Sequence, residues 1–102
     1  MKIDDVATLA ADLAGVRIVV SNGRKEWRYH GRLIARQLDD AHLVIRADFA
    51  YRDLIVREFP GTFSIPSRYL KHMMVVGDLA HGDSAAIEDA LESALEPQRN
   101  AD

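Results

Sequence analysis

The chain has 102 residues, of which 48% are hydrophobic and 28% charged, and its formal net charge is −3. A chain of this length buries one hydrophobic core, and this composition lies outside the low-hydrophobicity, high-charge range of disordered proteins. The absence of cysteine excludes disulfides, thiol nucleophiles and cysteine-rich zinc sites. No apolar run approaches the roughly 20 residues that span a bilayer. We therefore expect a cytoplasmic protein without a membrane partner, with one domain over residues 1–97 and a polar C-terminal stub at 98–102.

The charge is unevenly distributed along the chain. Residues 17–77 carry 11 basic and six acidic side chains, whereas residues 78–102 carry one basic and seven acidic ones. This asymmetry suggests a nucleic-acid partner for the basic part, although solvated strand and helix faces produce the same pattern. Because the whole chain is slightly acidic, such binding is expected to be local and weak.

The first helix is predicted from the helical spacing of its apolar residues. Asp4 or Asp5 is placed to cap it, and Gly15 is placed to end it. Its apolar face consists of Val6, Leu9, Ala10 and Leu13. The β-branched run at 16–20 predicts a strand or an extended lead-in whose pairing stays open.

Three short strands are predicted next, over 27–29, 32–37 and 42–47. The dipeptides His30-Gly31 and Asp39-Asp40 separate them, and connections this short predict a β-meander.

The register of this meander has two alternatives. A two-residue Asp39-Asp40 loop places Ile34 beside Ile45, whereas a three-residue loop places Leu33 and Ala35 inside. With the shorter loop, the side chains of Trp27 and Tyr29 share the inner side and Arg28 and Arg46 face outward.

The second half of the chain predicts two helices and two short strands. Asp48 caps a helix over 49–58 that buries Leu54 and Ile55, and strands follow at 62–65 and 73–76. Asp83 caps a last helix that Pro97 ends, with an apolar stripe of Ile87, Ala90, Leu91, Ala94 and Leu95. The predicted class is α+β: an antiparallel β-sheet packed against N- and C-terminal helices, with a helix inserted between strands.

The residues do not specify a reaction. The four histidines are far apart and lack metal-ligand spacing, so we expect turn or surface roles for them and no metal or cofactor. Ser64 and Ser67 lack the Gly-x-Ser-x-Gly elbow of a nucleophile, and no glycine-rich phosphate loop opens a helix. We therefore expect no enzymatic activity.

Three stretches of the sequence occur in a characteristic order: the aromatic and basic hairpin Glu26–Ala35, the helix and stop over Asp48–Pro60, and Tyr69–His72 leading into Met73–Asp78. Together they resemble the MmcQ/YjbR-like family, and the resemblance covers nearly the whole chain. Met73 and Met74 stand where family members often carry Trp. The resemblance implies a small α+β fold grouped with frataxin-like domains and a DNA-binding role through two hairpin wings.

Basic side chains near the predicted hairpins are the candidate phosphate contacts, since Arg and Lys position proteins on nucleic-acid backbones. They are Arg24, Lys25, Arg28, Arg32, Arg46, Arg68 and Lys71. Trp27 and Tyr29 are interleaved with them, and core packing is the favoured role of both. The alternative to DNA is a protein-interaction module, in which the acidic last helix or an exposed sheet edge contacts another protein.

Overall fold

The computed structural model describes residues 1–100, in which three helices accompany a six-stranded antiparallel sheet. Helix α1 spans Ile3–Ala11, α2 spans Phe49–Glu58 and α3 spans Ser84–Asn100. The strands are β1 Val16–Ser21, β2 Arg24–Tyr29, β3 Arg32–Gln37, β4 His42–Arg46, β5 Phe63–Ser64 and β6 Met74–Asp78. They lie in the order β1-β2-β3-β4-β6-β5. The predicted α+β class, with helices at both ends and one between strands, is confirmed.

The meander contains one strand more than the sequence pattern predicts. The run at 16–20, whose pairing was open, is β1, and it pairs antiparallel with β2 so that Ser21 lies opposite Arg24. Asn22 and Gly23 form the turn with φ of 52° and 76°, the left-handed values that a two-residue type I′ hairpin requires. His30 and Gly31, with φ of 48° and 83°, form the next turn in the same way, as predicted.

A β-bulge decides the register that the sequence left open. Ala35 lies opposite both Trp27 and Ile45, but the pairing shifts at Arg28, which lies opposite Leu33. Ile34 is thus an extra residue in β3, and a bulge turns two successive side chains to the same side. Ile34 and Ala35 are both buried, whereas Leu33 shares the side of Arg28. The shorter-loop alternative is wrong, because Ala35 and not Ile34 lies opposite Ile45. The longer-loop alternative is right for Ala35 but wrong for Leu33, because the bulge breaks the alternation along β3.

The sheet has an inner face, which packs on α1 and α3, and an outer face, which turns away from them. The inner face and the helices form the main core, in which Trp27, Ile45 and Val75 contact Val6 and the predicted stripe of α3. Burying Trp27 almost completely stabilises the fold by about 3 kcal/mol. A second, smaller cluster on the outer face consists of Val44, Val76 and Tyr69. The residues between α2 and β6 therefore cover the outer face over β4 and β6.

The helix starts agree with the predictions at two of three positions. The carboxylates of Asp48 and Asp83 accept hydrogen bonds from the first turns of α2 and α3, as expected of N-caps. Helix α1 instead begins after Lys2, whose backbone N–H donates to Asp5 in the third helical position. The prediction of an aspartate N-cap is wrong there because the helix starts earlier and uses Asp5 from inside its first turn.

Two burial and boundary predictions are also wrong. Leu54 is 37% exposed, and in α2 the buried partner of Ile55 is Arg52. Helix α3 does not end at Pro97 but continues to Asn100, and Gln98, assigned to the polar stub, is buried. The proline removes one intrahelical hydrogen bond, but Arg32 Nη2 donates to the carbonyl oxygen of Gln98 at 3.4 Å and so holds the last turn. The rest of the predicted stub, 101–102, lies outside the described residues.

Candidate nucleic-acid interface

Arginines dominate the outer face of the meander because strand alternation and the bulge bring them to one side. In the β1–β2 pair, Arg17 lies directly opposite Arg28, and Arg24 lies opposite Ser21. Arg36 of β3 lies opposite Glu26 and Val44, and Arg46 ends β4 on the same face. Glu26 is the only acidic residue in β1, β2 and β3. We call this set the basic outer face: Arg17, Arg24, Arg28, Arg36 and Arg46.

Glu26 and a backbone carbonyl fix the guanidinium of Arg28. Arg28 Nε lies 3.0 Å from Glu26 Oε1, and Nη1 donates to the carbonyl oxygen of Gly31 at 2.8 Å. Both groups are about a quarter to a third exposed, so this ion pair is screened by solvent and contributes at most about 1 kcal/mol. The ion pair and the hydrogen bond chiefly hold Arg28 against the sheet beside the His30-Gly31 turn.

Of the shallow depressions that border the β1–β2 hairpin, two are lined by arginines, one toward each end. The first, of about 410 Å³, has Arg24 and Arg36 in its lining together with Ser21, Asn22, Lys25, Glu26 and Gln37. The second, of about 350 Å³, is lined by Arg17, Arg28, Val19, His30, Gly15 and Gly31. Each depression therefore offers two arginines to an anion that enters it.

Tyr69 extends this surface toward β4 and β6. It is buried in the 3-10 turn Ser67–Tyr69 and packs on Val44 and Val76. Its hydroxyl accepts a hydrogen bond from Arg36 Nη2, and the guanidinium carbons of Arg36 and Arg68 lie 5.7 and 4.8 Å from its ring centre. These cation–π contacts place Arg68 beside the basic outer face.

A buried arginine holds the connection that carries Arg68 and Lys71. Arg52 Nη1 donates to the carbonyl oxygens of Tyr69, Leu70 and His72 at 3.3, 3.1 and 2.8 Å. Its guanidinium also lies 4.8 Å from the ring centre of Phe49. No sequence pattern singled out Arg52, because a helical arginine next to Asp53 is typical of a solvated face.

The seven predicted contact residues do not share one surface. Arg24, Arg28 and Arg46 belong to the basic outer face, Arg68 lies over Tyr69, and Lys71 is exposed in the connection before β6. Lys25 and Arg32, in contrast, are on the inner side, where Lys25 Nζ lies 3.4 Å from Asp4 Oδ1 and Arg32 donates to Gln98. Sequence reasoning also missed Arg17 and Arg36, which become recognisable once β1 is paired with β2 and the bulge fixes β3.

The acidic C-terminal helix lies on the other side of the sheet from the basic outer face. Its buried residues contact the inner-face core, and its acids Glu88, Asp89, Glu92 and Glu96 are exposed. At 0.1 M salt, charges in solvent more than about 10 Å apart are largely screened from each other. The fold thus separates the two charge surfaces that the sequence contains.

The hairpin aromatics are structural, in line with their favoured role. Trp27 is buried in the core, and Tyr29 packs against it while its ring stacks on His30 at 4.1 Å. Neither ring is presented on the outer face for stacking on a base.

Two aspartates hold turns at the end of the sheet where β3 and β6 finish and β4 begins. The backbone N–H of Ala41 and the ring of His42 hydrogen-bond to Asp39, which lowers the pKa of that carboxyl. The backbone N–H of His81, with help from its ring and from Ala80, likewise lowers the pKa of Asp78. Each histidine therefore hydrogen-bonds to the carboxylate of a turn, His42 to that of Asp39 and His81 to that of Asp78.

Residues 1–100 contain neither a cluster of metal ligands nor a helix that could span a membrane. No group of three or more His, Asp or Glu side chains there is arranged to hold a metal ion. None of the helices in this range is both long and apolar enough to cross a membrane.

Comparisons with protein-family models, with curated proteins and with solved structures find no match to this chain. The resemblance to the MmcQ/YjbR-like family therefore stays a prediction from three short sequence stretches. A functional proposal for this chain rests instead on the positive charge and the geometry of the basic outer face.

Proposed function

We propose that this protein binds duplex DNA through phosphate contacts made by the basic outer face. The observation that carries the proposal is the direct opposition of Arg17 and Arg28 in the β1–β2 pair. Like charges directly opposite each other destabilise an antiparallel sheet. A phosphate bound between them offsets that repulsion, since arginine forms strong charge-assisted hydrogen bonds with phosphate oxygens.

The spacing of the arginines along the hairpin suits a polyphosphate better than a single anion. Arg24 and Arg28 are four residues apart in β2, which is about 14 Å at roughly 3.4 Å per residue. That length corresponds to about four base pairs of B-DNA, which rise about 3.4 Å each. The two depressions at the ends of the hairpin therefore serve separate phosphates of one duplex.

A duplex is favoured over a single strand because the aromatic residues of the hairpin are engaged elsewhere. Single-strand binders stack bases on exposed aromatic rings, whereas Trp27 is buried and Tyr29 packs on the core. Contacts to phosphates carry no sequence information, so binding by this surface is largely sequence-independent.

The decisive experiment is a fluorescence anisotropy titration of a labelled DNA duplex at several salt concentrations. Four phosphate contacts give a slope of log K against log salt of about −3.6, or about 150-fold weaker binding at 200 mM than at 50 mM salt. Absence of binding at 20 mM salt, or binding that does not respond to salt, contradicts the proposal.

Two double variants identify the surface that contacts DNA. Arg17→Gln combined with Arg28→Gln removes two charges from the basic outer face, and we expect weaker binding and a slope smaller by about 1.8. Arg57→Gln combined with Arg99→Gln removes the same charge from exposed helical positions and serves as the control. Equal affinities of the two double variants, with both folded, would assign binding to another surface.

A further inference from the structure

Strand β1 forms a free edge of the sheet that is long and apolar. It ends the strand order, and its sequence VRIVVS contains one charged residue, Arg17. Ile18, Val19 and Val20 are 43%, 43% and 65% exposed. The other edge strand, β5, has only two residues. Proteins usually protect sheet edges with short strands, prolines or several charges, and β5 has such protection whereas β1 does not.

The backbone of β1 has hydrogen-bonding groups directed away from β2. In a two-residue hairpin the residues next to the turn, here Ser21 and Arg24, form a hydrogen-bonded pair, and the pattern alternates along the strand. Arg17, Val19 and Ser21 therefore bond to β2. Ile18 and Val20 direct their N–H and C=O groups to the open edge, where another strand completes the ladder.

The side chains of β1 are self-complementary in one symmetric arrangement. A two-fold axis normal to the sheet keeps inner faces on the same side, so a residue lies opposite one of the same face in the second copy. With the axis beside Val19, Ile18 lies opposite Val20 of the partner subunit, and Val19 lies opposite the partner's Val19. Arg17 then lies opposite the partner's Ser21 and avoids a like charge. The three exposed apolar side chains thus all meet apolar partners.

We propose that β1 pairs antiparallel with β1 of a second copy of this chain, about a two-fold axis beside Val19, to form a continuous twelve-stranded sheet. This dimer does not rest on the DNA-binding proposal. It does keep both basic outer faces on the same side of the sheet.

The dimer is expected to be weak. Six residues of strand are about 20 Å long, and an edge of this size buries less than the roughly 1,200 Å² of a standard interface. We therefore expect a dissociation constant on the order of micromolar.

Analytical ultracentrifugation over a concentration series tests the stoichiometry of the full chain. A concentration-dependent shift from monomer to dimer, without larger species, is the expected result. A monomer throughout the series up to about 1 mM, or assembly beyond the dimer, overturns the proposal.

Charged substitutions test the surface. Val19→Lys places like charges opposite each other across the axis and should give a monomer, whereas Leu70→Lys, at a comparably exposed apolar position, should leave the dimer intact. Mixing Val19→Lys with Val19→Glu should restore association. Retention of the dimer in folded Val19→Lys, or no association in the mixture, overturns the proposal.

A cysteine tests the register, since the chain contains no other thiol. Val19→Cys puts two sulfurs across the axis at a separation that a disulfide spans, so mild oxidation should cross-link it. Val20→Cys faces the partner's Ile18 instead and should cross-link much more slowly. Equal cross-linking of the two variants contradicts this register.

Discussion

Arg52 Nη1 donates to the carbonyl oxygen of His72 at 2.8 Å, which ties the middle of α2 to the end of the connection before β6. The same nitrogen reaches the carbonyl oxygens of Tyr69 and Leu70. Backbone N–H groups already donate to two of these carbonyls, that of His72 to Tyr69 and that of Met74 to His72. The buried guanidinium adds a further donor to both and also satisfies the carbonyl of Leu70, and it thereby fixes the segment that bears Arg68 and Lys71.

Replacement of Arg52 by methionine should destabilise the protein. Methionine keeps much of the side-chain volume but removes this donor from the three carbonyls, and we expect a loss of about 1–3 kcal/mol in the free energy of unfolding. Urea denaturation followed by circular dichroism measures it. Arg57→Met, at an exposed position of the same helix, is the matched control and should change stability by less than about 0.5 kcal/mol. Similar losses in both variants would mean that the carbonyl contacts contribute little.

Substitution of Arg24 and of Lys25, which are adjacent in β2, compares the contributions of the two faces of the sheet to DNA binding. Arg24 is on the basic outer face, whereas Lys25 is turned toward Asp4 of α1. Under the DNA-binding proposal, Arg24→Ala should weaken duplex affinity up to about fivefold, because an exposed ion pair contributes at most about 1 kcal/mol, and should reduce the salt slope by about 1. Lys25 also lines the first depression, but its ammonium is paired with Asp4 on the inner side, so Lys25→Ala should lower the affinity less than Arg24→Ala does in the same anisotropy titration. The reverse order would place the contact on the helix side.

Neutralising Glu26 should strengthen DNA binding. Its carboxylate lies beside Arg28 and opposite Arg36, where it repels phosphate. Glu26→Gln is expected to raise duplex affinity by about two- to fivefold at 50 mM salt, in line with at most about 1 kcal/mol for one exposed charge. Glu92→Gln changes the net charge equally but from α3, and its affinity should match that of the wild type. A gain of the same size in Glu92→Gln would indicate a response to net charge alone.

The Asp78 turn should make stability sensitive to acid. The backbone N–H of His81 holds the pKa of the Asp78 carboxyl below its usual value of 3.8. A carboxyl with a lowered pKa in the folded state stabilises the fold above the unfolded pKa, and this contribution is lost as the pH falls through the folded pKa. The melting temperature of wild type should therefore exceed that of Asp78→Asn at pH 6, and the difference should vanish toward pH 2. A difference independent of pH would assign the effect to packing.

Local sequence chemistry predicted much of the fold. Asp48 and Asp83 mark helix starts because a short carboxylate side chain reaches the free N–H groups of the first turn. The stripe of α3 is buried as its spacing indicates. The turn at His30-Gly31 is also a local property, since few residue pairs accept positive φ.

The candidate site was less predictable because its composition depends on pairing between strands. Lys25 and Arg32 carry the same charge as Arg24 and Arg28, but the register turns them toward the helices, where they contact Asp4 and Gln98. Arg17 was not selected, because it joins the site only through its position opposite Arg28. The bulge at Ile34 has no local signal of its own.

The sequence by itself determined the starts of α2 and α3, the tight turn at His30-Gly31, the α+β class and the separation of basic from acidic segments along the chain. These follow from contacts within a few residues and from composition. Only the tertiary structure decided which arginines face outward, that α3 continues past Pro97 and that Arg52 is buried. Each of these findings depends on a contact between residues distant in sequence. Arg17 lies opposite Arg28, Arg32 donates to Gln98, and Arg52 donates to His72. Periodicity gives the side of an element on which a residue lies, whereas the neighbour it meets is fixed by the packing of the whole chain.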